Sequence, residues 1–237
     1  AVASPTRPMT GAGMGRLVEE GRLDLDAPVQ RYVPGFPRKD PHVVTPRLLA
    51  GHLAGIRHYR TDAETVEAGQ KHYATVAQSL EIFRDDPLEH APGSRYLYSS
   101  YGWNLLAAVV EGASGEPFLP HMRERVFRPL GLLHTVAEHQ DSIIEGRARF
   151  YVRGEGGRLV NAPYVDNSYK WAGAGFLAPA KDVARFGSAH LRPGFLRAES
   201  LRLLFTPQRT ADGRETGYGV GWASGRDAEG RRTVSHS

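Results

Sequence analysis

The sequence has no cysteine, so disulfides, thiolate nucleophiles and cysteine-ligated zinc are excluded. It has no apolar run near the roughly 18 residues that cross a bilayer, so no integral membrane segment is expected in it. Its first residues lack the charged-then-apolar layout of a signal peptide. Charge of one sign is also scarce: 30 Lys and Arg face 26 Asp and Glu, a net +4 over 237 residues. The cations are scattered through "RPMTGAGMGR", "RKDPHVVTPR" and "GRRT" and form no aromatic-laced stripe. That pattern reads as solvated basic surface and against nucleic acid as a partner. What is present, 41% hydrophobic and 24% charged residues, is the composition of a folded globular chain long enough for one large domain.

Residues 4–20 read as a helix. Ser4 offers a cap, Pro5 suits the first turn, and Met9, Met14, Leu17 and Val18 recur at helical spacing. Each glycine among Gly11, Gly13 and Gly15 costs about 1 kcal/mol of helix propensity, so their presence implies close packing and burial. Gly21 closes this helix, and a turn and short extended stretch follow. Thr45-Pro46 starts another helix ending near Gly55, and residues 61–86 look helical, polar and exposed. Pro92-Gly93 is a turn before the apolar helix "YGWNLLAAVVEGASG". A further helix runs from Pro117 to about Phe127. "RARFYVRGEGGRLVNAPYV" alternates around glycines as a hairpin does, a helix begins near Ala178, and the tail alternates as two antiparallel strands. The chain opens on a buried-looking "AVAS" and stops inside a strand pattern, so the natural protein is expected to continue in both directions.

Three short stretches could carry chemistry. In Ser4-Pro5-Thr6-Arg7 the serine stands at a helix start, near unpaired backbone N–H groups and the positive end of the dipole. A residue three places on lies on the same face, and a desolvated lysine there could take the serine proton. The plainer reading is a capping serine and a surface arginine. In "YLYSSYGWN", Tyr98 could relay a proton and Ser100 share its network; the alternative is a packed aromatic cluster of Tyr96, Tyr98, Tyr101 and Trp103. The terminal His236-Ser237 could orient a substrate carboxylate or assist protonation, or do nothing. "GAGMG" lacks a preceding strand and a following lysine, which argues against a phosphate loop. His52 and His58 lie six apart, off a common helical face, and give no metal site.

Taken in order, Ser4-x-x-Arg7, Tyr98-x-Ser100 and His236-Ser237 resemble the three motifs S-x-x-K, Y-x-[NST] and [KH]-[ST]-G of the serine β-lactamase and penicillin-binding-protein superfamily. "LLAGHLAGIRHY" and "PGSRYLYSSYGWNLLAAVVEGASG" resemble the class C-like, peptidase S12 branch. "RARFYV" and "RLVNAPYVDNSYKWAGAGFLA" resemble its mitochondrial members. The resemblance covers essentially the whole chain. It implies an α+β fold, an α/β sandwich beside a helical subdomain, with an incomplete antiparallel sheet. On this expectation residues 1–237 are one domain fragment, about 20–145 the helical subdomain, and 1–19 with 146–237 part of the sandwich.

The resemblance further implies an acyl-enzyme hydrolase acting on a peptide or a small ester or amide, with no cofactor and no metal. Ser4 would be the nucleophile, Tyr98 its proton partner, and Ser100, His236 and Ser237 substrate-binding groups. A mitochondrial location and a homo-oligomer or filament are implied in the same way. Arg7 departs from the pattern. A guanidinium does not release its proton in proteins, so Arg7 cannot be the base. It still supplies positive charge beside Tyr98 and leaves that phenol as the lone base. Strongly weakened acyl transfer is expected, the alternative being a non-catalytic scaffold on the same fold.

Overall fold

A computed structural model describes residues 1–237. Helix α1 spans Thr6–Glu19 and buries Met9, Met14 and Leu17, as the periodicity requires. A Cβ on Gly11 would meet the Val220 carbonyl oxygen at 2.8 Å, so the glycines admit a neighbouring backbone. Gly21, at φ +69°, ends the helix, and the Arg22 N–H donates back to the Leu17 carbonyl at 2.9 Å. The helix does not begin as expected. Its N-cap is Pro5, and Ser4 makes no capping bond. The Ser4 hydroxyl is engaged elsewhere.

The segment after α1 forms a 3₁₀ turn at Val29–Arg31 in place of the expected extended stretch. Helix α2, Pro46–Ala50, is capped by the Thr45 hydroxyl, which accepts from the Leu48 N–H at 3.3 Å. It ends five residues before Gly55, because His52 takes a left-handed φ of +60° and turns the chain out of the helix. The stretch 61–86 is two short helices, α3 (Asp62–Ala68) and α4 (Val76–Leu80), each capped by a threonine hydroxyl. Val76, Leu80 and Phe83 are buried, so only the first part is the exposed excursion that its polarity implied.

Helix α5, Ser100–Ser114, is the centre of the molecule. The Ser99 hydroxyl caps it by accepting from the Gly102 N–H at 2.9 Å, and Gly115 closes it at φ +68°. Nearly every residue of α5 is buried, and Trp103, Leu105, Leu106, Val109 and Val110 are among the most enclosed side chains. Helix α6, Phe118–Met122, continues into a π turn over Arg123–Phe127. Strand β1, Val136–Ala137, comes next, followed by the expected hairpin of β2 (Tyr151–Arg153) and β3 (Leu159–Asn161), antiparallel with Tyr151 opposite Asn161. After it come α7 (Trp171–Ala174), β4 (Phe176–Leu177) paired antiparallel to β1, α8 (Ala180–Ala189) and α9 (Ala198–Phe205). The tail is the antiparallel pair β5 (Ala223–Arg226) and β6 (Arg232–Ser235). The strands thus form three separate two-stranded ladders. No helix is long and apolar enough to cross a membrane.

Two contacts place the first turn of α1. The Val2 N–H donates to the Phe176 carbonyl at 2.9 Å, tying the N-terminal segment to β4. Helix α1 packs across α5, α7 and α9, and one continuous hydrophobic cluster runs from Met9 to Trp222. The N-terminal ends of α1 and α5 therefore converge, and with them Ser4 and Tyr98.

Candidate active site

Ser4 sits in a tight turn. Ala3 before it has φ +51°, a conformation that L residues avoid, and the Thr6 and Arg7 N–H groups donate to the Ala3 and Ser4 carbonyls at 2.9 Å each. This turn lifts the Ser4 hydroxyl away from the helix end, half-exposed, to within 2.9 Å of the Tyr98 hydroxyl. The two residues are 94 apart in sequence, and their contact is the centre of the site.

Arg7 lies one turn behind Ser4 and is 1% exposed. Its Nη2 donates to the Ser100 Oγ at 2.9 Å, and its Cζ stands 4.7 Å over the centre of the Tyr98 ring. Its Nε and Nη1 are buried without a hydrogen-bond partner. No carboxylate pairs with it, so the guanidinium is an uncompensated buried cation, an arrangement that costs stability. Gly221, at φ +79°, is what lets the chain pass the Arg7 backbone: a Cβ there would meet the Arg7 carbonyl oxygen at 2.8 Å.

Ser100 is the first residue of α5, and both its hydroxyl and its N–H are occupied, the N–H donating to His58 Nδ1 at 3.2 Å. His236 reaches the same region from the end of β6. Its Nε2 lies 2.9 Å from the Tyr218 hydroxyl, and Tyr218 packs 4.8 Å from the His52 ring, which in turn lies 4.5 Å from Tyr98. His236 is thus joined to Tyr98 through two rings and shares no hydrogen bond with Ser4, Tyr98 or Arg7. Ser237 is exposed, and its side chain bonds to none of them.

The structure gives His52 and His58 a place beside Tyr98 that the sequence does not indicate. His52 and His58 both face Tyr98, at 4.5 Å and 5.5 Å between ring centres. Their six-residue spacing excludes a shared face only on a helix, and α2 has ended before His52. Tyr59 stacks on His58 at 4.4 Å. Tyr96 and Tyr218 complete the aromatic wall, 6.2 Å apart. The rings packed round the polar pair are thus His52, His58 and Tyr218, and Tyr96, Tyr98, Tyr101 and Trp103 make no ring contacts with one another. Burial, and after it the Arg7 charge, holds His52 well below the ordinary histidine range and lowers His58, whose neighbour Glu64 opposes the shift. Burial first, then Arg7, also lowers His236 against the raising effect of its bond to the Ser237 carbonyl.

A stability consequence follows from three buried histidines. Burial lowers the pKa of His52, His121 and His190 below the unfolded value of about 6.5. Folding then favours the neutral imidazoles. This contribution is complete above about pH 6.5 and is lost as pH falls from there toward the folded values. Glu111, raised by burial, acts in the opposite sense nearer its own range. The urea midpoint should fall steadily between about pH 7 and 5.5; a flat midpoint across that interval contradicts the neutral-histidine account.

A serine hydroxyl bonded to a tyrosine hydroxyl at the head of a buried helix, with a cation behind both, is the arrangement that the resemblance to the serine β-lactamase family leads one to expect. The chain belongs to that family: the Beta-lactamase family model matches residues 1–237. It is 34% identical over 304 aligned residues to the human serine beta-lactamase-like protein LACTB, mitochondrial, an alignment that covers 93% of this chain and 55% of that protein. The chain thus spans about half the length of the curated relatives it matches. Among solved structures, a D-stereospecific amidohydrolase from Streptomyces sp. superimposes with a TM-score of 0.83 at 24% identity, covering 99% of this chain and 73% of that one. The octameric penicillin-binding protein homologue from Pyrococcus abyssi gives 0.82 at 24% identity, over 100% and 55%. These likenesses establish the α+β fold of the family.

Proposed function

We propose that the chain carries a serine hydrolase site that forms an acyl-enzyme on amides or esters, slowed by Arg7 at the position where the motif has lysine. The observation that carries this reading is the 2.9 Å contact between the Ser4 Oγ and the Tyr98 Oη. The Tyr98 phenolate takes the Ser4 proton as Oγ attacks the carbonyl carbon. Arg7 cannot take that proton, but its charge lies over the ring on which the negative charge would sit. The oxygen of the tetrahedral intermediate needs a donor. Pro5 has no N–H, and those of Thr6 and Arg7 are spent within the turn. The Ser4 N–H is left as the donor that the start of α1 can offer. Expulsion of the amine or alcohol, with return of the proton, leaves the ester on Ser4, and water then hydrolyses it.

Within this reading Ser100, His236 and Ser237 are assigned to substrate binding. Residues of about 20–145 form the helical lobe, and 1–19 with 146–237 the other lobe. The substrate class is a peptide or a small amide or ester, and the mitochondrial location named for the human relative is carried over with it. A second reading is a non-catalytic, self-assembling member of the family. The buried guanidinium without an acceptor base favours it, and the Pyrococcus homologue is described as octameric.

A fluorophosphonate probe separates the two. The hydrolase reading expects covalent labelling at Ser4, abolished in Ser4→Ala and reduced about 10²–10⁴-fold in Tyr98→Phe, the range for loss of a positioned proton acceptor. Labelling unchanged in Ser4→Ala, or no labelling of the wild type at any pH, sinks it and leaves the assembly reading.

A further inference from the structure

Tyr98 lies in no helix or strand. Its segment is nevertheless anchored on both sides by two histidines. The Leu97 N–H donates to the His52 carbonyl at 2.8 Å, the Ser99 N–H to His52 Nδ1 at 3.1 Å, and the Ser100 N–H to His58 Nδ1 at 3.2 Å. Ser99 and Ser100 are the N-cap and first residue of α5, so these N–H groups belong to the unpaired donors of a helix start. Hydroxyls and carboxylates usually satisfy such donors. Here two imidazoles do. The rings also confine the phenol: His52 lies against it at 33°, His58 meets it edge-on at 87°, and Arg7 covers it from α1.

We propose that His52 and His58 form a paired positioning clamp, in which two neutral imidazoles accepting consecutive amides hold the Tyr98 hydroxyl against Ser4. The proposal rests on the hydrolase reading for its catalytic meaning but not for its geometry. An Nδ1 that accepts an amide must be unprotonated, which puts the proton of both rings on Nε2. Protonation of either ring removes its acceptor and adds positive charge at the positive end of α5. The other groups facing the rings are few. Arg7, His58, His236 and the phenols of Tyr96, Tyr98 and Tyr218 face His52. Arg7, Tyr59, Tyr98 and Glu64 face His58. The single acid, Glu64, is bound to Arg57 at 2.7 Å and to the Tyr101 hydroxyl at 3.0 Å. The clamp should therefore hold at neutral pH and open on acidification.

Asparagine is the discriminating substitution. Its amide oxygen can take the place of Nδ1, it does not titrate in this range, and it tolerates the left-handed backbone of residue 52. In the full chain, His52→Asn and His58→Asn should label with the fluorophosphonate within about 3-fold of wild type at about pH 8, while His58→Leu should lose about 10-fold or more, as expected for a removed acceptor. Below the ordinary histidine range the wild-type labelling rate should fall more steeply than that of the asparagine variants. Nitrogen NMR of the unlabelled protein should show both rings with the proton on Nε2, and the Ser99 and Ser100 amide shifts should move with imidazole titration. Asparagine variants as slow as His58→Leu, or amide shifts that stay fixed while the imidazoles titrate, overturn the clamp. If the wild type takes no label at all, the hydrolase reading fails, and the NMR titration alone still decides the clamp.

Discussion

Arg7→Lys should accelerate labelling of Ser4 by about 10²–10⁴-fold, the usual contribution of a positioned proton acceptor. The argument is geometric and electrostatic together. Arg7 is 1% exposed, has no acidic partner, lies over the Tyr98 ring and reaches the Ser100 Oγ. A lysine on the same turn of α1, behind Ser4, would place an amine in this buried region. It would also enter a site where burial and the absence of a carboxylate disfavour the ammonium form, and a neutral amine can accept the serine proton. Arginine has no such neutral form. The measurement is the second-order labelling rate of Arg7→Lys against wild type and against the Ser4→Ala, Arg7→Lys double variant. A gain that persists without Ser4 disqualifies the nucleophile. Equal rates in Arg7→Lys and wild type would mean that the cation at position 7 moves no proton.

Gly112→Ala should destabilise the fold by about 3 kcal/mol or more, the upper part of the range for overpacking a close-packed site. Helix propensity alone points the other way, since alanine in a helix interior gains about 1 kcal/mol over glycine. Gly112 lies in the last turn of α5, where the helix crosses the chain leaving the Val29–Arg31 turn. A Cβ there would fall 2.7 Å from the carbonyl carbon and 3.0 Å from the Cα of Tyr32. Backbone cannot give way as a flexible side chain can. Relief requires α5 to shift, and α5 carries Ser99 and Ser100 at its other end. Gly187→Ala in α8 is the control: nothing lies within 4 Å of the place its methyl group would take. That variant should be stabilised by up to about 1 kcal/mol. Urea midpoints of opposite sign are expected, and two shifts of the same sign would contradict the close approach.

Much of the fold was readable where one local signal dominated. Thr45-Pro46 predicted the start of α2, and the apolar run after Tyr98 predicted α5. Alternation around Gly154–Gly157 predicted the hairpin of β2 and β3. Local signals failed where they were absent or overruled. Helix α9 follows Arg197 with no capping side chain, so nothing in its sequence marks its start. The end of α2 is set by the left-handed turn at His52, which brings that ring under Tyr98 and which helical periodicity cannot register. The spacing argument against a metal site at His52 and His58 assumed a helix that the chain had already left, and it carried no information on their contact with Tyr98.

The candidate site divides in the same way. Residue types alone left Ser4 and Arg7 open as a cap and a surface cation, and Tyr98 and Ser100 as part of a packed cluster; the resemblance to the family motifs singled them out. The sequence also excluded Arg7 as a base, since a guanidinium keeps its proton in any fold. Tertiary structure alone decided that the Ser4 hydroxyl bonds Tyr98 across 94 residues and does not cap its own helix. It alone buried Arg7 without a counter-ion, joined His236 to Tyr98 through Tyr218 and His52, and gave two histidines the amides of α5. The reason is that propensity and periodicity act over a few residues, whereas these contacts are fixed by how α1, α5 and the ends of the intervening loops pack against one another.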